Sequence, residues 1–131
     1  MVGIVLVSHS RKIAEGALEL ISQMLNEKTR IGVAAGTSDN RLGTDVELIE
    51  QKIREVETGK GTIILVDLGS AIMSAEMAIE NLEESMKPVV SIVDAPFVEG
   101  AVVAAMEASF GKSLEEVKEA TENTRGMRKL A

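Results

Sequence analysis

The sequence predicts a single α/β domain in which a parallel β-sheet is covered by helices on both faces. Two observations carry this reading. Strand and helix signals alternate in the order βαβαβαβαα, the pattern of parallel strands joined by crossover helices. Each strand segment is apolar without alternation, as expected for a strand buried on both faces. A length of 131 residues suits one compact domain over 1–131, and no repeat, linker or low-complexity stretch divides it.

The elements follow in order. Val2-Gly3-Ile4-Val5-Leu6-Val7 is a β-branched run and the first strand. Ile13, Ala17, Leu20, Ile21 and Met24 then recur at helical spacing. Ile31 to Ala35 is the second strand, ended by the loop signal Gly36-Thr37-Ser38-Asp39-Asn40. Leu42, Val46, Ile49, Ile53 and Val56 form an amphipathic helix closed by Gly59. Thr62 to Val66 is the third strand. Ile72, Ala75, Ile79, Leu82 and Met86 mark the next helix, which Pro88 ends before the fourth strand, Val89 to Val93. Val98, Ala101, Val102, Ala105 and Met106 give a helix with a small-residue face that should pack closely. Leu114, Val117 and Thr121 give a last, weaker helix, and the basic tail 125–131 is expected to fray.

Composition narrows the function classes. The net charge is −7, against nucleic-acid binding, which needs basic patches to displace counterions, and against anionic membrane surfaces. With two phenylalanines and no Trp or Tyr, stacking platforms for single strands are nearly absent. The lack of cysteine excludes disulfides, zinc–thiolate sites and Cys nucleophiles. The start lacks a basic leader, and no apolar run approaches the roughly 20 residues of a membrane span. A soluble, cytoplasmic protein without membrane insertion is expected.

In a right-handed parallel sheet all carboxyl ends lie on one edge, where ligands bind. Four segments collect there: Ser8-His9-Ser10, Gly36-Thr37-Ser38-Asp39, Asp67-Leu68-Gly69-Ser70 and Asp94-Ala95-Pro96. His9 is the only histidine, and imidazole is neutral and nucleophilic near pH 7 without special tuning. Asp67 can orient that ring by binding one nitrogen, cap the helix that follows, or do both. Gly69-Ser70-Ala71 at a helix start is a candidate anion site, and so are Gly43-Thr44 and, more weakly, Gly36 and Thr37. Gly111-Lys112-Ser113 imitates the end of a phosphate loop but has Met106 where the earlier glycine belongs. The helical methionines (Met24, Met73, Met77, Met86, Met106) are expected in core or interface. One His, one Asp, anion-binding amides and no nucleotide loop point to a phosphoryl relay. No metal and no resident cofactor are expected.

Val5-Leu6-Val7-Ser8-His9-Ser10 resembles the active-histidine segment of the mannose-type enzyme IIA domains of the bacterial phosphoenolpyruvate phosphotransferase system. Three further stretches extend the resemblance over about residues 1 to 110. They are Ala34-Ala35-Gly36 with Leu42-Gly43-Thr44-Asp45, then Val66-Asp67-Leu68-Gly69-Ser70-Ala71 with Ser74-Ala75-Glu76, then Ala95-Pro96-Phe97-Val98-Glu99-Gly100-Ala101. Together they resemble the branch of phosphotransferase subunits (DhaM type) that serve dihydroxyacetone (glycerone) kinases.

The resemblance implies a three-layer fold with sheet order 2-1-3-4 and a homodimer. It implies that His9 takes a phosphoryl group on Nε2 from phospho-HPr while Nδ1 faces Asp67. Gly69, Ser70 and Ala71 would receive the phosphoryl oxygens. The group would then pass to ADP held on a DhaL-type subunit, and the ATP formed would phosphorylate dihydroxyacetone on a DhaK-type subunit. Relatives with fused HPr-like domains exist; here HPr is expected to act as a separate protein. The alternative is a mannose-type enzyme IIA of a sugar permease, which passes the group to an enzyme IIB. That branch carries a Gly-Gly-Ser-Pro type loop where this chain has Leu68-Gly69-Ser70-Ala71. A regulatory domain of the same fold is a third reading, weakened by the absence of a DNA-binding segment.

Overall fold

β1 (Gly3–Ser8) runs through the middle of a four-stranded, all-parallel sheet of order β2-β1-β3-β4. The computed structural model describes residues 1–130. β2 is Arg30–Ala35, β3 Thr62–Val66 and β4 Val90–Ile92. The helices are α1 (Arg11–Ile21), α2 (Val46–Val56), α3 (Ala71–Glu80), α4 (Phe97–Ser109) and α5 (Leu114–Glu122). This is the predicted strand and helix order and the predicted sheet order.

Every residue of β1 is buried, because alternate side chains enter different cores. Ile4 and Leu6 join Ile63, Leu65, Ala17, Ile21, Ala101, Ala104 and Val117 under α1, α4 and α5. Val5 and Val7 join Ile64, Ile49, Ile53, Ala71 and Ala75 under α2 and α3. The small face of α4 packs as closely as its composition predicts. A Cβ built on Gly100 would lie 2.9 Å from the Leu65 side chain and 3.1 Å from Ala95.

Several boundaries differ from the sequence pattern. α2 starts at Val46, where the Asp45 side chain accepts the Glu47 and Leu48 N–H groups. Leu42 therefore lies in the loop before it and is 80% exposed, and Gly43-Thr44 do not open a helix. α3 ends at Glu80, and Leu82 and Met86 follow in a turn before the 3-10 segment containing Pro88. In α1 the buried face is Ala14, Ala17 and Ile21. Small side chains let this helix lie on the sheet, while Ile13 and Leu20 point to solvent. Met73 and Met77 are exposed rather than in the core. Beyond α5 a 3-10 turn spans Asn123–Gly126, Arg125 pairs with Asp94 at 2.9 Å, and Lys129 pairs with Glu99. Ala131 lies outside the described residues.

Candidate functional site

Val7 pairs with Val66 in the β1–β3 ladder, and the Asp67 N–H donates to the Val7 carbonyl at 3.1 Å. The residues that follow the two central strands are therefore neighbours in space although 58 positions apart. β1 feeds a crossover to one side and β3 to the other, so this is the switch point of the sheet, where α/β folds bind ligands.

The His9 ring is held at both nitrogens. Nδ1 is 3.0 Å from Asp67 Oδ1, and Nε2 is 3.1 Å from Ser70 Oγ. An ionised carboxylate can only accept, so the ring proton belongs on Nδ1. Nε2 then carries a lone pair, and the Ser70 hydroxyl donates to it. The His9 side chain is 27% exposed and the Asp67 side chain 8%, so the ring meets solvent while its partner is covered.

Asp67 is tied by four hydrogen bonds. Oδ2 accepts from the Ser8 hydroxyl at 2.9 Å and the His9 backbone N–H at 3.0 Å. Oδ1 accepts from the imidazole and from the Leu68 N–H at 2.8 Å. Burial pushes the Asp67 carboxyl up, but the donors from His9 and Ser8 outweigh it and hold the group below its ordinary value. Asp67 is thus the partner of His9 and not the cap of α3, whose N-cap position is Ser70.

Ser8 went unmarked in the sequence except as a neighbour of His9. Its side chain is fully buried at the end of β1. It donates to Asp67 and accepts the Ser10 N–H at 3.0 Å. A hydroxyl closing an otherwise apolar strand was the available signal. It fastens the end of β3 to the start of α1, whose own N-cap is Ser10.

The predicted anion donors divide into two groups. Ser70 makes no side-chain cap bond and turns its hydroxyl to His9 instead. Among the described residues the backbone N–H groups of Gly69 and Ser70 have no protein acceptor, so the mouth of α3 presents two free amides. Ala71 does not add a third, because its N–H donates to the Leu68 carbonyl.

Gly36, Thr37, Gly43 and Thr44 do not act as the expected cradle. The Gly36 N–H extends the ladder to the Ser8 carbonyl, and the Thr37 N–H donates to Arg41. The Gly43 N–H donates to the carbonyl of His9 itself at 2.8 Å, and Thr44 Oγ1 is engaged with Ser74 Oγ at 2.7 Å. The amides of Gly36, Thr37 and Gly43 are thus spent on backbone carbonyls, while Thr44 keeps a backbone N–H without a protein acceptor among the described residues.

A lone imidazole with an oriented, unprotonated nitrogen beside unpaired amides suits a histidine that carries a phosphoryl group. The family model described as "PTS system fructose IIA component" (EIIA-man) matches residues 3–118 of this chain. The chain belongs to the EIIA-man family.

Curated relatives of this EIIA-man chain include "PEP-dependent dihydroxyacetone kinase 2, phosphoryl donor subunit DhaM" of Listeria innocua, 42% identical over 117 residues, which cover 89% of this chain and 94% of the relative. The phosphoryl donor subunit DhaM of Escherichia coli is 38% identical over 120 residues, again 89% of this chain but 25% of that longer protein. The solved structure of a protein of unknown function, EF1359, superposes with a TM-score of 0.86 at 38% identity, covering all of both chains. None of the described helices is long and apolar enough to cross a membrane.

Proposed function

We propose that this chain is the phosphoryl-carrying component of a phosphoenolpyruvate-dependent dihydroxyacetone kinase, with His9 Nε2 as the carrying atom. The observation that supports this best is the opposition of the two ring contacts. Asp67 fixes the proton on Nδ1, which leaves Nε2 as the nucleophile beside the free amides of Gly69 and Ser70.

In the loading step the Nε2 lone pair attacks the phosphorus of phospho-HPr, and the P–N bond to the donor histidine breaks. The His9 ring becomes cationic, with its proton retained on Nδ1. Asp67 stabilises that charge at 3.0 Å. The Ser70 hydroxyl leaves Nε2 as the new bond forms, and turns with the Gly69 and Ser70 amides toward the phosphoryl oxygens. In the discharge step a β-phosphate oxygen of ADP on the DhaL-type subunit attacks the phosphorus. The P–Nε2 bonding pair returns to the ring, which is neutral again without any proton having moved. The ATP formed serves dihydroxyacetone on the DhaK-type subunit. Positioning and charge neutralisation carry the reaction, as is usual for phosphoryl transfer.

Both partners must reach His9, and the apolar side chains around it fit that need. Ile13 in the first turn of α1, Leu68 beside Asp67 and Leu42 next to Gly43 are all exposed, a pattern suited to transient protein contacts. A homodimer in the cytoplasm, with residues 1–131 acting as one domain, completes the reading.

Incubation with phosphoenolpyruvate, enzyme I and HPr tests it. An added mass of one phosphoryl group on His9, lost on addition of the ADP-loaded partner and absent in His9→Ala, is expected. Label on another residue overturns the assignment, and discharge to an enzyme IIB instead assigns the chain to sugar transport.

A further inference from the structure

We propose that the recess beside His9 lined by Ser10, Arg11, Lys12, Asn40, Arg41 and Leu42 receives the diphosphate of the acceptor nucleotide during discharge. This rests on the carrier reading above and adds the site that neutralises the acceptor's charge. The recess has a volume of about 650 Å³, ample for a diphosphate.

Its charge runs against the rest of the molecule. In a chain of net charge −7, three cations gather on one flank of the lone histidine. Arg11 and Lys12 follow His9 directly after the N-cap Ser10 and fill the first turn of α1, which contains no acidic residue. The positive end of the helix dipole makes that turn a poor place for cations. Neither forms an ion pair among the described residues, and both are exposed. A placement that weakens the helix without a local partner fits a site that waits for an external anion.

Arg41 joins them from the loop. It pairs with Asp39 at 2.7 Å, but both side chains are well exposed, 77% and 58%, so a multiply charged ligand can compete for the guanidinium. The loop is fixed with respect to the nucleophile. Thr37 brackets Arg41, donating its N–H to the Arg41 carbonyl at 2.9 Å and accepting the Arg41 N–H at 3.0 Å. Two residues on, Gly43 is bonded to the His9 carbonyl. The first turn of α1 and the 36–44 loop are thus both anchored to the backbone of His9, one by sequence and one by this hydrogen bond. ADP carries its charge on the oxygens next to the attacking one, and phosphoryl transfer gains most from cations aimed there.

Rapid mixing of the phosphorylated chain with the ADP-loaded nucleotide subunit tests the assignment. In the triple variant R11Q/K12Q/R41Q discharge slows by roughly tenfold or more and depends less on salt, while loading of His9 from HPr stays within about twofold. A control, K28Q/K60Q/K112Q, removes the same number of charges near the amino ends of the strands and discharges at the native rate. Folding of the first variant is checked by its melting temperature, which should not fall, since α1 loses unfavourable first-turn cations. Unchanged discharge, equal slowing in the control, or equal slowing of loading overturns the assignment. Failure of the native chain to take a phosphoryl group on His9 is a separate result, visible before any variant is compared, and refutes the carrier reading instead.

Discussion

Ser70 Oγ lies 3.1 Å from His9 Nε2, the nitrogen that Asp67 leaves without a proton. The Nε2 lone pair is therefore already occupied by a hydrogen bond, and in the proposed reaction Ser70 has to exchange one acceptor for another during each cycle. Ser70→Ala should still be phosphorylated, since the lone pair is then unmasked. Its discharge should slow by roughly tenfold to a hundredfold, because a donor to the transferring oxygens is lost. Single-turnover rates of the two half-reactions measure this; discharge at the native rate would remove Ser70 from the transfer step.

Asp67→Asn keeps the shape and removes the charge that balances the cationic ring. The variant should fold and transfer at least about a hundredfold more slowly in both directions. The stability of the native chain should depend on pH in a defined way. The carboxyl is held below its ordinary value of 3.8 in the folded chain, so its contribution is fully present above that value and disappears as the pH falls through the lower, folded one. The melting temperatures of the native chain and the Asp67→Asn variant should differ near neutrality and converge in strong acid. A gap that persists at low pH would assign the stabilisation to something other than the carboxylate.

Ser8→Ala removes a fully buried hydroxyl that serves Asp67 and Ser10 together. A stability loss of about 1 kcal/mol is expected. As a positioning residue, Ser8 should also affect the ring. The NMR signal of the Nδ1 proton should broaden or shift, and transfer should fall about tenfold, with Ser8→Thr restoring part of it. A stability loss with an unaltered imidazole signal would make Ser8 merely structural.

Gly100→Ala tests the close approach of α4 to the sheet. The added methyl would come within 2.9 Å of Leu65, and the resulting strain should lower stability by about 1–3 kcal/mol. Below the melting transition the phosphoryl reactions should be unaffected, because Gly100 touches none of the groups around His9. Thermal denaturation alongside labelling of His9 measures both.

The fold was legible because strands buried on two faces are written as unbroken apolar runs, and α2 and α5 as clean periodic stripes. His9 and Asp67 were legible for the same reason: each stands where such a run stops. The ends of elements were less so. Leu42 fits the α2 period by chance of spacing, yet Asp45 satisfies the first free amides and starts the helix later. Ile13 and Leu20 are apolar but face solvent, since the alanines of α1 take the sheet side. The anion donors were legible only as a class. Whether an amide near the edge is free depends on where its neighbours' carbonyls point, and Gly36, Thr37 and Gly43 had theirs claimed by backbone partners that no local pattern reveals.

The pairing of Val7 with Val66 has one more consequence. His9 and Asp67 meet only after the two central strands have zipped together with the correct offset, and a slip of one residue would turn the aspartate to the opposite side of the sheet. The imidazole proton is thus a reporter of long-range alignment. Partly assembled chains should lack it, so that its NMR signal counts only those molecules whose central strands are correctly aligned.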